Sequence, residues 1–231
     1  MLTLDKLKIG YDGFDLSADL KVPQGARVAV IGPSGAGKST LLAAMAGFLT
    51  PTSGRILWQD QDMTDMPPGK RPLSMLFQEA NLFPHLTIAQ NVALGIRPNL
   101  RLSPEQKDQV HAALTTVGLQ GFAERRPAAL SGGQQSRVAL ARVLVRDRPL
   151  VLLDEPFAAL GPAMKAEMLD LVATLLDNTG ATLLMVSHDP ADALRIAPQT
   201  ILVAEGQAHA PQGTQTLLAN PPPALRAYLG T

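Results

Sequence analysis

Eight consecutive residues, Gly32-Pro33-Ser34-Gly35-Ala36-Gly37-Lys38-Ser39, restrict the fold more than anything else in the chain. They satisfy G-x-x-x-x-G-K-[ST] at every specified position, a pattern that works where a buried strand turns into a helix. Glycine admits backbone conformations closed to residues with a Cβ, so successive amides of such a turn can face inward around an anion. Lys38 then reaches for phosphate oxygens, and the Ser39 hydroxyl, with Thr40 next to it, stands where a divalent cation is held. The flanks fit. Arg27-Val28-Ala29-Val30-Ile31 is a short apolar β-branched run, and Ser39 to Ala46 is rich in good helix formers and stops at Gly47. An ordinary glycine-rich turn is the competing reading, and the matched positions in this context weigh against it.

The remaining composition sets bounds. At 231 residues and 46% hydrophobic content, the chain can bury a sizeable core as one large domain without staples. Its 20 basic and 20 acidic side chains cancel. No net field then draws it to nucleic acid or anionic lipid, and a nucleic-acid partner is not expected. The absence of cysteine excludes disulfides and thiolate metal sites and suits a reducing compartment. No run reaches the ~18 apolar residues of a membrane span, and Met1-Leu2-Thr3-Leu4-Asp5-Lys6 lacks a basic stretch followed by an apolar one. A chain neither secreted nor integral to a membrane is expected.

Ahead of the phosphate loop, Leu2, Leu4, Leu7 and Ile9, and then Leu16, Ala18, Leu20 and Val22, alternate with polar residues. That period predicts two half-exposed antiparallel strands over 2–9 and 15–22. Tyr11 falls between them, where a lone aromatic is more often a packing residue than a platform for a base. Further strands are predicted over Arg55–Trp58 and Leu73–Phe77, the second ending at Gln78. From about 87 to 147 the strand signal disappears. Ser103-Pro104-Glu105-Gln106 is a capping box with proline at the first helical position, and Val110, Ala113, Leu114 and Val117 form one apolar stripe. The segment reads as a helical insertion. Strands resume with Pro149–Glu155, an apolar run ending in two carboxylates. A helix follows from Pro162, with Met164, Met168, Leu171, Val172, Leu175 and Leu176 predicted on its apolar face, and Ala181–Val186 is a further buried strand ending at Ser187-His188-Asp189. Buried strands alternating with helices predict a mostly parallel sheet whose ligand groups gather at the carboxyl ends of the strands. Gln78, Asp154, Glu155 and His188 all fall at such ends.

Asp154 taken alone reads equally well as a plain strand terminus. With a phosphate loop upstream it fits the second nucleotide motif, in which a carboxylate helps hold magnesium opposite the loop serine, here Ser39. Glu155 is then placed as the base that orients or deprotonates water. A histidine alone is more often structural, but the position of His188 after a third buried strand makes it a candidate partner of a γ-phosphate.

A second glycine-rich stretch selects among families. Leu130-Ser131-Gly132-Gly133-Gln134 resembles the signature of ATP-binding-cassette proteins, and the order phosphate loop, Gln78, signature, Asp154-Glu155, His188 is similar to theirs over essentially the whole chain. Ser131, Gly132 and Gly133 open a predicted helix running to about Arg146, whose free amides and dipole offer a second anion site. One nucleotide cannot lie inside two such turns on separate lobes of one subunit.

The resemblance implies an α/β fold of the P-loop NTPase class: a RecA-like core with a mostly parallel sheet, an N-terminal antiparallel β subdomain and a helical insertion. All of it forms one domain over 1–231, with about 1–86 and 148–231 as core and about 87–147 as insertion. It implies ATP and Mg2+ as ligands, and a head-to-tail dimer in which each ATP lies between one subunit's phosphate loop and Ser131, Gly132, Gly133 and Gln134 of the other. By the same resemblance Tyr11 stacks on adenine, Gln78 is a magnesium ligand and lobe hinge, and His188 is a switch on the γ-phosphate. A permease in the membrane then docks near Gln78, a periplasmic solute-binding protein acts indirectly, and the chain sits peripherally on the cytoplasmic face of the bacterial inner membrane.

Two departures from the family pattern stand out. Gln135-Ser136 follow the signature where arginine and glutamine are common, and Gly161 stands where relatives carry an aspartate that communicates across the dimer. Within the family, Pro72–Thr87 and Leu184–His188 look most like the ATPases of thiamine importers, with iron, polyamine or sulfate-like importers as alternatives. No residue here reads a transported solute. A member without the regulatory extension of the sugar-importer ATPases is expected. A soluble P-loop kinase is the rival of another class, and it needs an acceptor site and no LSGGQ.

Overall fold

The computed structural model of the chain describes residues 1–11 and 13–229. In chain order the strands are β1 (Leu2–Tyr11), β2 (Phe14–Val22), β3 (Arg27–Ile31), β4 (Ser53–Trp58), β5 (Gln61–Asp62), β6 (Leu73–Leu76), β7 (Leu150–Asp154), β8 (Thr182–Val186), β9 (Gln199–Ala204), β10 (Gln207–Ala208) and β11 (Gln212–Gly213). The helices are α1 (Lys38–Ala46), α2 (Ile88–Ala93), α3 (Pro104–Thr116), α4 (Gly132–Leu144), α5 (Pro162–Thr179), α6 (Pro190–Ile196), α7 (Thr214–Ala219) and α8 (Pro223–Leu229).

The strands form one mixed sheet in the order β5-β4-β1-β2-β10-β9-β3-β8-β7-β6, with β11 on β9. The section β9-β3-β8-β7-β6 is parallel, as the alternation of buried strands and helices predicts. β1, β2, β4 and β5 pair antiparallel, and β10 joins the two sections by lying parallel to β2 and antiparallel to β9. Both faces of β3 are covered. Ala29 and Ile31 enter one apolar cluster with helical residues such as Val138, Val172 and Ile196, whereas Val28 and Val30 enter another with Leu41, Leu42 and Met45 of α1. A strand buried on both faces has no polar side to present, which accounts for its uninterrupted apolar run.

Between β6 and β7 the described residues form helices and no strand. Thr87 with Gln90, Ser103 with Gln106 and Ser131 with Gln134 make capping boxes at the starts of α2, α3 and α4, each satisfying two otherwise free amides reciprocally. Ile88, Val92, Val110, Leu114 and Val138 pack in the same cluster as Ile31 and Leu153 of the sheet.

Two local expectations change. β1 runs on to Tyr11, which pairs with Phe14 across the hairpin instead of standing in a turn. On α5 the fully inward residues are Met168, Leu169, Val172 and Leu176, while Leu171 and Leu175 are half-buried and Met164 is 41% exposed. Met164 lies against Gly133 in the first turn of α4, so its apolar surface meets a neighbouring helix start and not the sheet.

Arg71 is only 2% exposed, and its guanidinium holds the far end of α1. It donates to the carbonyls of Ala44 at 2.8 Å and Met45 at 2.7 Å, and to those of Thr64 at 2.7 Å and Met66 at 2.8 Å. The last carbonyls of a helix have no partner within it and carry the negative end of its dipole, so a cation there answers both needs. Arg71→Met keeps much of the volume and strands these carbonyls. It is expected to destabilise the chain by about 2–4 kcal/mol in urea unfolding, and a change below about 0.5 kcal/mol would show that the cap is dispensable.

Candidate functional site

Val186 of β8 pairs with Val30 of β3 on one side and with Asp154 of β7 on the other, so the three strands end level. The segments leaving those ends line one cavity of about 470 Å3. Its wall consists of Gly32, Ser34, Gly35, Gly37, Lys38, Ser39 and Thr40 after β3, Glu155 after β7, His188 after β8, Tyr11 and Phe14 at the tip of the β1–β2 hairpin, and Tyr228 from α8. Pro33 contributes through its carbonyl, and Ala36 is not part of the lining.

Close approach dictates two of the glycines. Gly32 has φ +153°, and a Cβ there would lie 1.9 Å from the Val203 carbonyl oxygen of β9. Gly37, at φ +100°, lies under the Phe14 ring, whose Cζ would be 2.6 Å from a Cβ. Gly37 is also the N-cap of α1 and supplies no side-chain cap. The first amides of α1 therefore stay available, with the positive end of the helix dipole, at the cavity wall.

Lys38 Nζ donates to the carbonyls of Gly32 and Pro33 at 2.9 Å each. Burial pushes the ammonium pKa down, against the nearby negative charges of Glu155 and Asp154. Ser39 Oγ donates to Asp154 Oδ1 at 2.9 Å. Burial raises the Asp154 carboxyl above its ordinary range, with the Ser39 bond opposing, Glu155 reinforcing and Lys38 opposing the shift. Both displacements have one origin: charged groups withdrawn from water without full counter-charge. An anion against Lys38 and a cation against Asp154 relieve them together.

Glu155 has φ +44°, a left-handed conformation that costs a non-glycine residue roughly 1–2 kcal/mol. Its amide donates to the Val186 carbonyl of β8 at 3.2 Å, and its Oε2 lies 3.3 Å from His188 Nδ1. The residues following β7 and β8 are thus linked through both main chain and side chain. No group of three or more His, Cys, Asp or Glu that could hold a metal occurs among the described residues. The hydroxyl of Ser39 beside one carboxylate suits Mg2+, which keeps several waters and takes one or two carboxylates together with substrate phosphate oxygens.

Gln78 is exposed and does not line the cavity, and neither do Ser131, Gly132, Gly133 and Gln134. Those four begin α4, where Ser131 Oγ accepts from the Gln134 amide at 3.3 Å and Gln134 Oε1 accepts from the Ser131 amide at 3.0 Å. Sequence reasoning missed Phe14 and Tyr228. Phe14 had a weak signal, since extending the second strand's pattern back by one residue sets it opposite Tyr11, and the two rings lie 5.1 Å apart. Tyr228 had none, because only tertiary packing carries α8 to the cavity.

Residues 16–158 match the family model described as ABC transporter. The thiamine import ATP-binding protein ThiQ of Cereibacter sphaeroides is 60% identical over 230 residues, 100% of both chains. The protein of the same name from Ruegeria sp. is also 60% identical with 100% of both chains covered, and that from Yersinia pseudotuberculosis is 53% identical over 94% of this chain and 92% of its own. A solved dimeric structure of the ATP-binding cassette MJ0796, in a post-hydrolysis state bound to ADP and Pi, has a TM-score of 0.81 and 29% identity and covers 93% of this chain and 99% of that one. With the family model spanning more than half of the sequence, and relatives alike along its whole length, the chain belongs to the ATP-binding-cassette (ABC) transporter family.

Proposed function

We propose that the chain hydrolyses ATP to drive the import of thiamine through a separate permease in the membrane. The observation that carries this reading is the convergence of Lys38, Ser39, Glu155 and His188 on one cavity, with Asp154 bonded to Ser39 at its edge. The solute is supported by full-length identity of 60% to proteins named for thiamine import.

In this reading, amides of the Gly35–Ser39 turn and Lys38 Nζ hold the β- and γ-phosphates, Lys38 exchanging its two loop carbonyls for phosphate oxygens. Ser39, Asp154 and Gln78 are the residues that would hold a magnesium ion, which would supply charge neutralisation at the phosphates. The ring of Tyr11, 49% exposed, offers a face for adenine. Glu155 takes a proton from water as the water oxygen bonds to the γ-phosphorus and the bond to the bridging oxygen breaks. His188 donates to the γ-phosphate from its place beside Glu155.

A second copy completes the site, its Ser131, Gly132, Gly133 and Gln134 closing over the ATP held by this chain. Support comes from the position of that helix start outside its own cavity and from the dimeric solved cassettes. The permease anchors the pair peripherally at the cytoplasmic face of the inner membrane, and a periplasmic binding protein delivers the solute. Among the described residues no helix is long and apolar enough to cross a membrane.

Cells lacking the chain should lose energised uptake of labelled thiamine and regain it with the parent gene but not with Glu155→Gln. Undiminished uptake in the deletion strain overturns the solute. Phosphorylation of a soluble acceptor, in place of phosphate release, overturns the transport role.

Gly161 tests the coupling between the paired sites. It is the N-cap of α5 at φ −64° and ψ 157°, without a side-chain cap, and nothing lies within 4 Å of a Cβ built there. Aspartate therefore fits, and the exchange changes stability by only a few tenths of a kcal/mol. Gly161→Asp is expected to raise the Hill coefficient of hydrolysis in the assembled transporter while the melt stays unchanged. An unaltered Hill coefficient would mean that coupling does not pass through this position.

A further inference from the structure

The loop that carries His188 is tied down around its imidazole. Ser187 Oγ donates to Asp192 Oδ2 at 2.6 Å, and Lys165 Nζ of α5 reaches Asp189 Oδ2 at 2.7 Å and Asp192 Oδ1 at 3.0 Å. The carbonyl of His188 itself accepts a hydrogen bond from the Tyr228 hydroxyl. Tyr228 stands on α8, where Leu225 is fully buried in the same apolar cluster as Ile31, Leu153 and Met185. The phenol is thus delivered from an anchored helix. Its ring lines the cavity beside Glu155 and His188, whose side chains are 3.3 Å apart.

We infer that Tyr228 is a positioning residue for hydrolysis: its hydroxyl, by holding the His188 carbonyl, fixes the peptide plane that aims the imidazole at Glu155 and at the γ-phosphate end of the cavity. The inference rests on the role proposed above for His188. Burial, and after it the charges of Glu155 and Asp189, push the phenol pKa up, so the hydroxyl remains a donor through neutral pH. The same peptide is held on its other side by the Asp189 amide, which donates to Ser187 Oγ at 3.0 Å. Losing the Tyr228 bond therefore leaves it with one anchor in place of two and free to tilt, while the Lys165 and Ser187 ties keep the loop folded. The defect is one of aim, and small misplacements of a reacting constellation are costly in rate.

The test is single-turnover hydrolysis of ATP with magnesium by the purified chain, so that slow variants stay readable, in the parent, Tyr228→Phe, His188→Ala and the double variant. Tyr228→Phe is expected to lower the rate about tenfold at saturating ATP, with the half-saturating ATP concentration and the melting temperature unchanged. In the His188→Ala background the same exchange should do nothing further. A parental rate for Tyr228→Phe, or an undiminished second drop in the His188→Ala background, overturns the inference alone. A parental rate for His188→Ala overturns it together with the role given to His188.

Discussion

Lys38→Ala should leave the chain folded and weaken ATP binding by about 10²-fold or more. The ammonium makes two hydrogen bonds to loop carbonyls at 2.9 Å, which in the proposed role it exchanges for phosphate oxygens. A hydrogen bond to a charged group contributes about 1.5–3 kcal/mol, and each 1.4 kcal/mol is a factor of about ten in affinity. Because the carbonyl bonds are given up on binding, only the margin by which anionic phosphate oxygens hold the ammonium better than neutral carbonyls counts, and a margin of about 1.4 kcal/mol for each of the two bonds suffices for the effect. Folding responds differently. Burial sets the folded-state pKa of Lys38 below its unfolded value, so the protonated form weighs against folding below the folded pKa, and that penalty fades as pH rises through it toward the unfolded value. Alanine removes the penalty along with the two bonds, and the nucleotide-free melt should stay close to that of the parent. What should vanish is the rise in melting temperature on adding ATP, which follows the ratio of ligand to its dissociation constant. A parental affinity by calorimetry would show that Lys38 does not carry the phosphates.

Glu155→Gln should do the opposite, keeping ATP bound and stopping its turnover. Glutamine matches glutamate in shape and can still bond His188, but it cannot take a proton from water. The rate should fall by about 10²-fold or more at unchanged affinity. The shared-site reading has hydrolysis release the pair, so ATP should also accumulate dimers of this variant, while the nucleotide-free chain should sediment as a monomer. Hydrolysis at the parental rate would dismiss Glu155 as the base. A monomer at high protein and ATP concentration would count against the shared site and leave the phosphate loop untouched.

Both substitutions lie in motifs that are legible one residue at a time. The phosphate loop declares itself because its requirements are local: a strand behind, a helix ahead, glycine where a Cβ would strike Val203 or Phe14, lysine and serine at fixed offsets. The capping box at Ser103 is equally local, its two bonds spanning three residues, and the apolar run of β3 announces burial on both faces. From such features the sequence by itself determined the class of fold and the family. The second nucleotide motif set Asp154 opposite Ser39, but no local pattern contains the means of bringing the two together. Asp154 reaches Ser39 across 115 positions because the parallel register sets β7, β8 and β3 level, and register is settled by the burial of both sheet faces at once, a property of no single segment. The same holds for Arg71 at the end of α1, for Met164 turned from the sheet onto Gly133, and for Tyr228 under His188. Their partners lie at the far ends of long chain separations, where the energy of the contact depends on how whole layers pack, and only the tertiary structure decided them.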